Sequence, residues 1–288
     1  MIAPFSPPAL ARAFREVGPT AMPGTDGVSG FAFARRLDHE CAALAGEVAS
    51  GRYRPRALLR RERRKESGGV RVLGIPSVRD RVLQRAALDA LTPQIELRLS
   101  PRVHGYRPRH SPSTALAMLC DQAGQAQGTV LVKADVAGLF DVVPHSVVRL
   151  AAATLLGPPW PGLLEAWLLA WPTSPDRGVP QGAPLSPALA NLVLDRVLDR
   201  PLEQALPPLP RLRTWIRYGD DVAIVGLQAD GVRIVQHLGG LLAGGGMSLA
   251  PGKVLSAEAR RGPVPFALLG ARLRWAAQDG GLRLERGL

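Results

Sequence analysis

Residues 214–225 read Thr-Trp-Ile-Arg-Tyr-Gly-Asp-Asp-Val-Ala-Ile-Val, two apolar runs joined by the turn Tyr218-Gly219-Asp220-Asp221. A run rich in β-branched and aromatic residues, a glycine-containing turn and a second such run make a β-hairpin. This one holds two adjacent carboxylates at its tip. Side by side they repel each other, and a divalent cation that favours oxygen ligands relieves the repulsion. Aspartate is also an ordinary turn former, so the pair alone does not choose between a metal site and plain turn chemistry.

A third carboxylate changes the balance. Val130-Leu131-Val132-Lys133-Ala134-Asp135-Val136 is a β-branched run that reads as a buried strand with one acid near its end. A buried aspartate without a partner is costly. Five positions on from Asp135 stands an aromatic, Phe140, and Asp141 follows it directly.

Asp135-x-x-x-x-Phe140-Asp141 followed by Tyr218-x-Asp220-Asp221 resembles the palm signature of reverse transcriptases. Gly178-Val179-Pro180-Gln181-Gly182-Ala183-Pro184-Leu185-Ser186 is similar to the family's primer and nucleotide positioning motif, and the stretch Val70 to Arg81 to its fingers motif. His104-Gly105-Tyr106-Arg107-Pro108-Arg109 and Gly24-Thr25-Asp26-Gly27 extend the resemblance towards the bacterial group II intron type. Five motifs in order are far more specific than any one of them.

The resemblance implies an RNA-directed DNA polymerase that adds deoxynucleotides to a primer 3′-hydroxyl. Its cofactor would be a pair of Mg²⁺ ions, with Mn²⁺ as a substitute, and two such ions suit in-line displacement at a phosphate. Asp135, Asp220 and Asp221 become the expected catalytic acids, with the Val136 carbonyl as a further metal ligand. Lys65 and Arg71 are expected to clamp the triphosphate, and Lys253 to contact the nucleotide as well. Phe140 stands where the family has an aromatic gate against a 2′-hydroxyl. Gln181 and Gly182 would meet the nascent base pair, the glycine allowing a close backbone approach, while Tyr218 and Gly219 would lie by the primer end. The expected partners are an RNA template, a DNA or RNA primer and deoxynucleoside triphosphates.

One position departs from the pattern. Intron-type enzymes commonly carry alanine where this chain has Gly219, and a Tyr-Gly-Asp-Asp turn also resembles viral RNA-dependent RNA polymerases. RNA synthesis is therefore the alternative, with a weakly active maturase-like RNA-binding subunit as a third reading. Phe140 and Pro180-Gln181-Gly182 favour DNA. Three clustered acids oppose a pure binding role, because without metal they would repel phosphates.

Composition agrees. The chain has 288 residues, 46% of them hydrophobic, with a formal net charge of +12. Residues 51–110 hold 16 Lys and Arg against 5 Asp and Glu, and the rest is nearly neutral. A basic run is often only a solvated face. Here Arg60 to Lys65 leads straight into the fingers motif, which favours phosphate binding. Two cysteines, Cys41 and Cys120, are too few for a disulfide framework, and a reducing cytoplasm is the expected location. The N-terminus lacks an export signal, and the apolar stretch Leu163 to Trp171 is too short to span a bilayer.

Strands and helices in mixed order predict an α+β chain, and the resemblance to reverse transcriptases implies the right-hand polymerase fold. Residues 1–112 are expected to form an N-terminal segment and fingers. Residues 113–288 are expected to form the palm, an antiparallel sheet backed by helices. Ser77 with Asp80 resembles a capping box opening a helix through Leu91. Ser186 and Pro187 open another through about Arg200. The chain ends soon after Phe266 to Ala271, which resembles the last palm motif, so the thumb is expected to be missing and no endonuclease to follow. A stand-alone, domesticated or defence-associated enzyme, or one whose thumb sits on a partner protein, is the expected context.

Overall fold

The computed structural model describes residues 3–64, 68–125, 129–171, 176–205, 212–227, 231–258, 262–276 and 281–285. In chain order the elements are α1 (Pro7–Val17), α2 (Gly30–Ala34), α3 (Leu37–Ala49), β1 (Leu59–Arg64), β2 (Val70–Ile75), α4 (Val78–Arg98), α5 (Pro112–Gln125) and β3 (Val130–Asp135). Then come α6 (Leu139–Val142), α7 (His145–Ala152), α8 (Trp160–Ala170), α9 (Ser186–Leu194), a π-helix (Asp195–Asp199) and α10 (Arg200–Ala205). The remainder is β4 (Leu212–Tyr218), β5 (Asp221–Gly226), α11 (Gly231–Gly244), β6 (Leu255–Glu258), β7 (Gly262–Pro263), β8 (Leu273–Trp275) and β9 (Leu282–Leu284). The mixture of helices with antiparallel sheets is the α+β architecture the sequence predicts.

Two compact units are built from interleaved segments: residues 1–98 with 140–192, and residues 99–139 with 193–288. In the first, Ala9, Leu10, Ala13 and Phe14 are the buried face of α1, and the Phe14 ring stacks on Phe33 at 5.2 Å. Tyr53, Asp80 and Trp167 form its polar core. The Asp80 carboxylate accepts hydrogen bonds from the Tyr53 hydroxyl at 2.7 Å, the Ser77 hydroxyl at 2.7 Å and the Arg56 amide at 2.9 Å, and the Trp167 indole donates to Tyr53 at 2.9 Å. Each buried polar atom that finds such a partner escapes a penalty of about 1–3 kcal/mol.

The second unit is organised by a four-stranded antiparallel sheet in the order β4-β5-β3-β6. Successive strand residues point to opposite faces. Leu131, Ala223 and Val225 therefore share one face, packed in a core with Leu119 of α5 and Trp275 of β8, while α11 packs against β3 and β5. Lys133, Asp135 and Asp221 continue the Leu131 face at the sheet's end.

Two helices differ from expectation. Helix α4 does not stop at Leu91 but runs to Arg98 with Pro93 inside it. Proline's fixed φ is itself helical, its missing N–H costs one bond, and the Thr92 hydroxyl donates to the Leu88 carbonyl at 2.7 Å. The helix opened by Ser186 reaches Leu194 as α-helix and then widens into the π segment before α10. No helix among the described residues is long and apolar enough to cross a membrane.

Candidate active site

The acid cluster follows from strand register. Asp135, last residue of β3, lies opposite Asp221, first residue of β5. Asp221 also faces Tyr218 across the two-residue turn Gly219-Asp220. The Asp220 carbonyl accepts from the Val136 amide at 3.0 Å, so the turn and the end of β3 are stitched together. Beyond Asp135 the backbone is tied to a later segment, with the Ala250 amide donating to the Asp135 carbonyl at 2.7 Å and Ala137 to Ser248 at 2.9 Å. That segment turns at Gly252 and returns Lys253 to the acids. Its Nζ donates to Asp135 Oδ2 at 2.8 Å.

Burial is the largest influence on Asp221 and pushes its carboxyl up. Asp220 and Asp135 push it further, while Lys133, with Nζ 3.9 Å from Asp221 Oδ1, and Lys253 oppose them. The Lys253 ammonium is raised first by its hydrogen bond to Asp135 and then by the combined field of all three acids. The three carboxylates thus form one electrostatic unit with two lysines against it. Among the described residues no three His, Cys, Asp or Glu side chains converge as a ready-made metal set. In the arrangement present, an ammonium rather than a third carboxylate meets Asp135.

Gly219 has a local cause. Its φ is +64°, and a Cβ there would lie 3.2 Å from Cε2 of the Tyr106 ring. Gly105 is closer still, since a Cβ on it would stand 2.2 Å from the Gly219 nitrogen. Tyr106, itself at φ 60°, is half exposed above the turn. Tyr218, expected by the primer end, is half-buried and packs against the unit's core. Tyr106 belongs to a motif legible in the sequence, but only the fold shows which turn it covers. Gly219→Ala is expected to cost about 1–2 kcal/mol from the left-handed backbone alone, with steric cost added by the ring. Denaturant melts check this, and Tyr106→Ala in the same chain should recover only the steric part. A variant as stable as the parent would refute the account.

Of the other expected nucleotide contacts, Arg71, Phe140, Gln181 and Gly182 lie in the first unit, where backbone bonds hold Phe140 and Gln181. The Gly74 amide of β2 donates to the Gln181 carbonyl at 2.9 Å, and the Val179 amide donates to the Phe140 carbonyl at 2.7 Å. Gly74 is pressed so close that a Cβ would lie 2.9 Å from Pro180. A pocket of about 310 Å³ opens beside this junction, lined by Arg60, Arg71, Asp141, Trp171, Pro180 and Gln181 among others. Arg60 begins the basic run expected to bind phosphate, whereas sequence reasoning assigned no role to Asp141 or Trp171. Gly182 sits at φ +113° next to the Gly74 carbonyl, and Phe140 is half-buried. Lys65 lies outside the described residues.

Residues 63–272 match the model of one family, described as reverse transcriptase (RNA-dependent DNA polymerase). The chain belongs to the reverse transcriptase family. A curated relative, Protein YkfC of Escherichia coli strain K12, is 35% identical over 133 residues, 45% of this chain and 35% of that protein. A telomerase of Candida albicans, solved in complex with a fragment of telomeric RNA, superimposes with a TM-score of 0.59 at 12% identity over 81% of this chain and 45% of that one. An apo telomerase of Candida tropicalis gives 0.56 at 11% identity, over 80% and 55%. At such identities the likeness shows the reverse transcriptase fold alone. The chain spans about a third to a half of the length of these relatives.

Proposed function

We propose that this reverse transcriptase family member is an RNA-directed DNA polymerase, extending a primer on an RNA template with deoxynucleoside triphosphates. The observation that carries the reading is the register of β3 on β5, which sets Asp135 against Asp221 with Asp220 in the adjoining turn. Carboxylate oxygens are the donors hard divalent cations prefer, and the mutual repulsion felt at Asp221 favours a cation there. Asp135, Asp220 and Asp221 would hold Mg²⁺, with Mn²⁺ able to replace it. Held there, two such ions would supply activation of the 3′-hydroxyl and stabilisation of the leaving pyrophosphate.

Lys253 has a part in this. Its ammonium is the counter-ion of Asp135 in the present arrangement and must leave Oδ2 for a cation to take its place. Released, and 63% exposed, it can meet the triphosphate. In the first unit, which we assign to the fingers side, Arg60 and Arg71 give the pocket its positive charge, Gln181 its amide and Phe140 the neighbouring aromatic bulk. The sheet of the second unit corresponds to the palm. Gly219, the one residue pointing towards RNA synthesis, is accounted for by Tyr106 and does not favour that alternative.

The direct test is extension of a labelled primer on an RNA template with Mg²⁺ and deoxynucleotides. A chain that extends only with ribonucleotides, or not at all while binding template, would overturn the reading. The basic hairpin gives a second test. Arg60, Arg61, Arg63 and Arg64 are exposed or nearly so, and phosphate neutralisation releases counterions, so affinity should fall steeply with salt. Replacing Arg61, Arg63 and Arg64 with Gln should lower the slope of log K against log salt by about 0.7–0.9 for each phosphate that is no longer neutralised. An unchanged slope would place these arginines away from nucleic acid.

A further inference from the structure

The residue that leads β4 into the acid-bearing turn is an arginine shut off from solvent. Arg217 and Asp199 are both 0% exposed and meet through two parallel bonds, Nε to Oδ1 at 2.8 Å and Nη2 to Oδ2 at 2.6 Å. A guanidinium held this way has its plane fixed. Its Nη1 donates at 2.9 Å to the carbonyl of Gly219.

Stability alone is a poor reason for such a pair. Taking both charges out of water costs several kcal/mol per ion, and apolar residues of similar volume often do as well or better. The surroundings point to positioning. Asp199 closes the π-helix, and π turns recur at functional sites, where they break the α repeat and redirect side chains. Helix α11 packs against this segment, and at Gly245 the approach is so close that a Cβ would lie 2.4 Å from Val197. From the other side the turn meets the Gly105 backbone and the Tyr106 ring. One residue further on, the Asp220 carbonyl is held by the Val136 amide.

We propose that Asp199 and Arg217 are a positioning pair for the catalytic turn: Arg217, oriented by Asp199, fixes the Gly219 carbonyl and so sets where Asp220 and Asp221 present their carboxylates to divalent cations. The proposal rests on the polymerase reading above. Neither residue touches substrate, and both act through the turn.

The test uses the full chain and the double variant Asp199→Leu with Arg217→Met, which removes the pair without leaving a lone buried charge. Mn²⁺ binding is followed by electron paramagnetic resonance without nucleotide, alongside primer extension and thermal unfolding. The expected result is a folded variant whose Mn²⁺ affinity and kcat both fall about 10–100-fold, the usual cost of removing a group that orients metal ligands, while KM for primer–template stays within about twofold. A purely structural pair would change the melting temperature and the active fraction but not the Mn²⁺ affinity of folded molecules. A folded double variant with parental Mn²⁺ affinity and kcat therefore overturns the proposal. If the double variant does not fold, Arg217→Lys carries the same measurement. It keeps a cation beside Asp199 but lacks the planar fork, so weakened Mn²⁺ binding supports the proposal and parental binding refutes it. A parent chain that neither binds Mn²⁺ nor extends a primer would bring down the polymerase reading and the pair together, whereas an active parent with an unaffected variant sinks the pair alone.

Discussion

Asp220→Asn is expected to reduce primer extension by about 10³-fold or more while template binding persists. Asparagine keeps the size and the turn propensity of aspartate, so the hairpin and its register should survive. What is lost is an anionic donor, and with it the charge that holds a cation against the developing negative charge of the reaction. Stabilisation of that kind amounts to several kcal/mol, and each 1.4 kcal/mol is about tenfold in rate. Template affinity should hold or rise slightly, since one negative charge near phosphates has gone. Single-turnover extension and filter binding on the same preparation separate the two effects. An Asn variant extending at the parental rate would show that these acids do not carry the chemistry.

Phe140→Ala is expected to shift sugar selection by about 10–200-fold, the span that shape alone achieves in an apolar pocket. The Phe140 backbone is tied to Val179, two residues before Gln181, which holds the chain that carries the ring beside the residues expected to meet the nucleotide. Truncating it should raise kcat/KM for ribonucleotides relative to deoxynucleotides, chiefly by relieving exclusion of the 2′-hydroxyl. The ratio is the quantity to follow, because loss of a half-buried ring can also lower overall activity. A parent that already prefers ribonucleotides, or a ratio unmoved by the change, would remove Phe140 from this role.

The parts of the site that the sequence made legible are those written in local pattern. The β-branched runs around Asp135 and Asp221 are continuous apolar stretches and form strands buried on both faces, and the hairpin between Thr214 and Val225 is a two-residue turn. The rest depends on contacts distant in the chain. Nothing in the apolar spacing of residues 186–205 announces a π segment, because one residue too many in a helical turn leaves no compositional mark. Asp199 and Arg217 are separated by strand, turn and helix signals that are each ordinary. Arg217 is one charge in an otherwise apolar run, and only the fold shows it fully buried. Gly219 reads as a family departure until Tyr106 is seen over it. The run of α4 past Leu91 and through Pro93 to Arg98 is likewise unmarked in the local pattern.

The interleaving of the two units constrains how the chain can be made and dissected. Because residues 140–192 complete the unit begun by residues 1–98, Tyr53 and Asp80 have no Trp167 to close their buried network until well over half the chain has left the ribosome. At about 5–20 residues per second, that leaves the first hundred residues several seconds with apolar faces uncovered, a window in which a chaperone would find them. A protein trimmed near residue 112, where motif boundaries suggest a convenient cut, would hold neither unit whole. Residues 1–98 joined by a linker to residues 140–192, without residues 193–288, by contrast keep every segment of the first unit and are the natural starting point for isolating it.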